Sequence, residues 1–322
     1  MPRFADIRDA VLLSGAVLLG GVFAPTLPMV GLPIAAAGLA ALVYRGRPTV
    51  ATFAAGMTVA FGAFVHLPDV VFLAPTFVAL LVIIGGMRNR SPLVAIVPLT
   101  AVVALGSIGS TVVYATLRGE TFLAFMKERT DAAVEAFVTT AGGVGADGTI
   151  AGVEPEMLAD LMYRLWPADY FTTALLGAAL AVVAAGWAAN RVGAEVRRLP
   201  RLDVLDLSPH VIWPFIAAFA LLAAARIGED PQGIVTGAGL NLLIGVRMLL
   251  LAQGMGVVSS FYRRIGLGVL ARRTGYVLLL IVDAVLPVVS MVGLIDFWAN
   301  FRKLPRDDSS SAERLERDVS GD

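Results

Sequence analysis

Apolar runs long enough to cross a bilayer recur along almost the whole chain, and they constrain the fold before any motif does. About 20 consecutive apolar residues span the hydrocarbon core. Backbone placed there must satisfy its own hydrogen bonds, and a helix does so within one segment. The runs expected as spans are Arg8–Phe23, Met29–Tyr44, Pro48–Val65, Val70–Gly86, Leu93–Thr116, Phe171–Asn190, Val211–Ala225, Gly233–Tyr262 and Thr274–Phe301. Hydrophobic residues make up 57% of the 322 and charged residues 16%, with mean hydropathy +0.80. Soluble chains sit near about 45–50% and 25%. The expected fold class is therefore all-α: a polytopic transmembrane helical bundle of eight or nine spans, occupying 1–303 as an integral membrane domain. The absence of cysteine excludes disulfides, thiolate nucleophiles and cysteine metal sites.

Charge alternates along the connectors. Arg45 and Arg47 follow the second run, Arg88 and Arg90 the fourth, and Arg191, Arg197, Arg198 and Arg201 the sixth. Between them fall His66 and Asp69, the long 117–170 segment, and Arg226, Glu229 and Asp230. Cytoplasmic loops collect Arg and Lys, so the amino terminus and the Arg-rich connectors are expected in the cytoplasm and 117–170 outside, in a bacterial inner membrane. The opening run is read as two helices joined at Pro25 and Pro28, with nothing cleaved. Nine crossings would put the carboxyl terminus outside, yet Arg302, Lys303 and Arg306 follow the last run directly. Gly233–Tyr262 and Thr274–Phe301, each near 30 residues, are the runs whose full crossing is in question.

Within 117–170 nine acidic residues face four basic ones. Phe122, Phe125, Met126, Ala133 and Phe137 recur at helical spacing, as do Met157, Leu158, Leu161, Met162, Leu165 and Trp166. Glu154-Pro155 opens a helix well. Two amphipathic helices joined by the glycine-rich 142–148 link are expected, resting on the membrane face or capping the bundle; a lid over a central cavity is the sharper alternative. The tail 304–322 lacks the apolar content to fold and is expected to be disordered.

Conventional catalytic signatures are missing. The chain has no P-loop pattern, no His-Glu-x-x-His and no Gly-x-Ser-x-Gly, and its two histidines, His66 and His210, lie at opposite predicted span ends. The expectation is no enzyme, no catalytic residue, no cofactor and no metal. Small residues are spaced by four at Gly233, Gly237, Asn241 and Gly245, then at Ala252, Gly256 and Ser260, with a matching stripe at Gly177, Ala181, Ala185 and Ala189. Such stripes let helix backbones approach closely. Polar groups that hydrocarbon penalises single out one candidate intramembrane site: Asn241, Arg247, Gln253, Asp283 and Asp296. Counted from the basic turn, Arg247 and Asp283 differ in depth by about 7 Å, within reach of an Arg side chain. A structural ion pair and a polar substrate site are both open readings of that pair.

Leu251-Ala252-Gln253-Gly254-Met255-Gly256, then Arg263-Arg264, then Gly293-Leu294-Ile295-Asp296-Phe297-Trp298 through Phe301-Arg302 resemble the carboxyl-terminal signature of the YybS-like bacterial membrane proteins. Asn300 stands where that resemblance would put an acidic residue. The family has no established activity. By fold-level analogy its bundle resembles the substrate-binding subunits of energy-coupling-factor vitamin transporters. Small-molecule binding or transport between the last two helices is the leading expectation, and a non-transporting scaffold or regulator is the alternative. The partners expected are the lipid bilayer, a small-molecule substrate and a membrane-protein partner, with no nucleic acid. Cysteine labelling after Arg90 and Arg198 should report the cytoplasm and labelling near Gly145 the outside; external labelling at Arg198 would overturn the orientation.

Overall fold

The structure, a computed structural model, describes residues 4–141, 154–197, 201–228, 230 and 233–304. The expected 142–148 link and 305–322 of the expected tail lie outside the described residues. Those described form α1 (Phe4–Phe23), α2 (Pro28–Tyr44), α3 (Pro48–Val65), α4 (Asp69–Gly86), α5 (Pro92–Leu117), α6 (Phe122–Ala141), α7 (Pro155–Arg164), α8 (Trp166–Arg191), α9 (Ile212–Ile227), α10 (Ile234–Arg264), α11 (Val269–Val285) and α12 (Val288–Ala299), with no strand among them. Helices α2, α3, α5, α7 and α8 start with proline in the first turn, where its missing N–H has no intrahelical partner to lose. Helix α10 stops at Gly266, whose φ of 67° lets Leu267 N–H return to the Tyr262 carbonyl (3.1 Å) and Gly266 N–H to that of Arg263 (3.2 Å).

Six helical stretches are long and apolar enough to cross a membrane: α3, α4, α5, α8, α10, and α9 together with the helical turn that leads into it, Pro209–Ile227; they become seven spans if α11 and α12 form one. That is fewer than the eight or nine expected. Any 18-residue stretch of α1 includes Asp6, Arg8 and Asp9, and α2 has only 17 residues, about 25 Å of helix. The final run, expected as one span, is broken: α11 and α12 meet at a 96° bend. Pro287 is the cause, since it cannot donate to the helix ladder and disfavours helical backbone at Leu286.

The chain divides into two compact units, 1–199 with 218–245, and 200–217 with 246–322. In the first, α2 lies at the centre, packed on α8 and α1. Its buried core is built from Leu32, Ala35, Ala36 and Leu39 against Ala174, Ala178, Ala181 and Ala185. The Gly177–Ala189 stripe thus finds its partner in α2, with Gly177 packed on Leu32 and on the Pro28 carbonyl. The close approach lies between α1 and α2: a methyl group on Gly31 would overlap the backbone of Ala24 and Gly20. In the second unit, the last five turns of α10 pack with α11, α12 and the segment that precedes α9.

The amphipathic stripe of α6 differs from the one expected. Met126, Thr130 and Val134 are buried while Phe137 is half exposed and Ala133 exposed, because a spacing of four keeps side chains on one face. In α7, Ala159 is buried while Met157, Leu161 and Met162 are exposed, an apolar face of the kind that rests on a membrane surface. Gly31→Ala should lower stability in detergent by about 1–3 kcal/mol through overpacking. Gly15→Ala, which meets nothing within 4 Å, should instead be stabilising by about 0.5–1 kcal/mol. Equal melting temperatures for the two variants would contradict this packing.

Candidate functional site

Asp283 sits one turn before the α11–α12 bend and is almost fully buried. One carboxylate oxygen accepts from Ser290 N–H (2.9 Å) and the other from Ser290 Oγ (2.7 Å). The carboxylate therefore closes the first turn of α12, whose N–H groups lack helical partners and favour negative charge. Arg247 of α10 donates through Nη2 to the Asp283 carbonyl and lies 3.4 Å from its carboxylate. Its side chain is 29% exposed, and its Nε is buried without a hydrogen-bond partner. The pair thus ties α10 to both sides of the bend.

A second and more buried cluster lies at the other end of α12. Arg302 Nη2 donates to Asp296 at 2.7 Å, with side-chain exposures of 1% and 0%. Arg302 also reaches Asp206 (3.2 Å) and the Leu205 carbonyl. The Nε2 of fully buried Gln253 donates to Asp206 (2.9 Å) and Asp296 (3.1 Å), while its Oε1 accepts from Leu207 N–H (3.1 Å). The second Asp296 oxygen accepts from Phe301 N–H (2.9 Å). Asn300 makes this possible. It ends α12 at φ 42°, and its amide exchanges hydrogen bonds with Leu304 (2.8 and 2.9 Å), a left-handed turn that Asn adopts more readily than most residues.

Glycines open the room for this cluster. A Cβ on Gly256 would lie 2.9 Å from Arg302 Nη1, one on Gly293 2.7 Å from Gly254 N, and one on Gly254 would overlap the Val289 carbonyl. Gln253, Gly254, Gly256, Gly293, Asp296 and Arg302 are thus one three-dimensional constellation. Sequence reasoning missed Ser290, Asp206 and the burial of Arg302. Arg302 read as a flanking charge, and its partner Asp206 is 96 residues away. A basic residue six positions after an intramembrane Asp was the available signal.

Asn241 belongs elsewhere. In the first unit its Oδ1 accepts from Ala168 N–H (2.7 Å), and its Nδ2 donates to the carbonyls of Arg164 and Gly237 (both 2.7 Å). It clips the α7–α8 junction. The five residues singled out from the sequence therefore form two paired clusters and one separate clip. Most of their polar atoms are already bonded to protein.

The first unit holds a cavity of about 670 Å³ at the α3–α4 turn, within the range typical of ligand sites. Ser107, Ser110, Thr111 and Tyr114 of α5 line one side, Asp169, Tyr170 and Thr173 of α8 another, and Phe125 and Arg129 of α6 cover part of it. His66 Nδ1 is 2.9 Å from Asp69. Its ring leans on Tyr114 (5.0 Å between centroids), which meets Phe125 edge-on (5.2 Å). Thr111 and Tyr170 share a hydrogen bond of 2.7 Å. Arg129 and Asp169 line the same space, and neither makes an ion pair among the described residues. Arg118, whose guanidinium lies over the Phe125 ring (5.6 Å to the centroid), holds α6 to the end of α5 through Glu128 (3.2 Å) and also pairs with Glu120 (3.1 Å). The hydrogen bond with Glu128, then the charges of Glu120 and Glu128, raise the Arg118 guanidinium above its ordinary pKa.

A family model described as a predicted membrane protein (DUF2232) matches residues 12–297. No curated protein and no solved structure matches the chain. Removing one member of a buried pair leaves the other unpaired, a loss of about 3–5 kcal/mol. Arg302→Gln and Asp296→Asn should therefore each sharply lower folded yield. Asp283→Asn and Arg247→Gln should cost less, because Arg247 reaches solvent, and the double variant should recover much of the loss. Unchanged thermal stability in Arg302→Gln would refute the buried cluster.

Proposed function

The chain belongs to the DUF2232 family of predicted membrane proteins, and from that premise we propose that it is a non-enzymatic, multi-pass protein of the bacterial inner membrane that binds a small polar molecule in the cavity of its first unit. The observation that carries this reading is a cavity bordered by two opposite charges outside any ion pair among the described residues, Arg129 and Asp169, and walled by aromatic rings and hydroxyls. Both residues are exposed, so a ligand of complementary charge can engage them without first breaking a protein ion pair. Opposite charges on α6 and α8, with Tyr114, Phe125 and Tyr170 on the same lining, suit a zwitterion with an apolar or ring-bearing middle. With the Arg-rich connectors in the cytoplasm, the cavity opens outward and α6 covers its mouth.

This moves the ligand away from the last two helices, where the expected site residues are already hydrogen-bonded to other groups of the protein. That saturation favours a second reading for the second unit: a structural or regulatory module whose polar groups hold its fold.

The chain has no cysteine, so single thiols report accessibility cleanly. Ser110→Cys and Thr173→Cys in sealed cells should react with a membrane-impermeant maleimide, while buried Ala181→Cys should not. A thermal-shift panel of zwitterionic amino acids and betaines should then include a stabilising compound. Its affinity should fall about tenfold or more in Arg129→Gln and in Asp169→Asn, the value of a charge-assisted hydrogen bond. Unreactive thiols at both lining positions would rule the cavity out as an external site.

A further inference from the structure

We infer that the groove between α10, α11 and α12 in the second unit binds an anionic phospholipid, with an acyl chain along the groove and the phosphate at its arginine end. The groove has a volume of about 490 Å³ and is walled by Val257 and Phe261 of α10, Leu279 of α11, Val292 of α12 and Phe301. It owes its shape to the bend at Pro287, because the 96° turn brings α12 against α10. In a membrane, an apolar groove of this kind takes up hydrocarbon rather than water.

The polar end of the groove is Ser260, Tyr262 and Arg264. Arg264 Nη2 donates to the Phe301 carbonyl (3.0 Å), which leaves the rest of its guanidinium for another acceptor. The Tyr262 ring packs on Tyr276 (5.4 Å between centroids), and Arg272 and Arg273 lie one turn before Tyr276 on α11. Arg263 is engaged by Asp203 at 2.5 Å. By contrast, Arg264, Arg272 and Arg273 make no ion pair among the described residues. Unneutralised arginines where helices meet the headgroup layer attract anionic lipids. A choline headgroup would bring its own cation to the same place, so the charge selects phosphatidylglycerol over phosphatidylcholine.

The test uses the full chain in nanodiscs of phosphatidylcholine, doped in turn with phosphatidylglycerol and phosphatidylcholine probes that carry a diazirine in one acyl chain. After irradiation, the phosphatidylglycerol probe should label peptides containing 257–262 and 292–301 several-fold more than its neutral counterpart. Arg272→Gln removes a charge with no described partner, seven residues before Leu279 and so on the groove face of α11, and should lower that ratio without loss of folded protein; Arg264→Gln should lower it further. Equal labelling by the two probes, absence of label from the groove, or a preference that survives both substitutions would each overturn the assignment.

Discussion

The buried contact between Asp296 and Arg302 organises the second unit. Hydrocarbon offers no hydrogen bonds, so a carboxylate and a guanidinium with almost no exposure persist only when each remaining donor and acceptor is also met. Gln253, Asp206, Leu205 and Phe301 meet them. That requirement explains much of the local backbone: the left-handed turn at Asn300, and the glycines at 254, 256 and 293 that let α12 and the guanidinium come close to α10. One ion pair thus dictates both side-chain identity and backbone shape over a stretch of α10 and the whole end of the described chain.

The same logic separates holding from binding. Asp283 spends its carboxylate on Ser290 and Arg247, and Asn241 spends its amide on the α7–α8 junction. Groups so engaged stabilise a fold. Arg129 and Asp169 are placed differently, on the wall of a cavity without an ion-pair partner among the described residues. Both are exposed, so a bound molecule can engage them without first breaking a protein ion pair.

Prolines and charges shaped the helices in ways that hydropathy alone does not register. Pro287 turned one apolar run longer than a single span into two helices at 96°. Both ends of that bent pair now communicate with the basic end of α10: α11 follows it through Gly266, and the Phe301 carbonyl accepts from Arg264. The difficulty of basic residues directly after the last apolar run is eased by that geometry, since a broken pair need not carry Arg302 and Lys303 across the membrane.

The sequence by itself determined the helical membrane class, the main span positions, the family signature and which polar residues would be costly in hydrocarbon. Those are local properties of composition and periodicity along one segment. The meeting of Arg247 with Asp283 was legible too, because both depths could be counted from one basic turn. Only the tertiary structure decided that Arg302 turns inward to Asp296 and Asp206, that the small-residue stripe of α8 packs on α2, and that a cavity forms where α5, α6 and α8 converge. Each depends on which helices become neighbours across many residues of chain. Side-chain saturation is a property of those neighbours, and no single segment carries it.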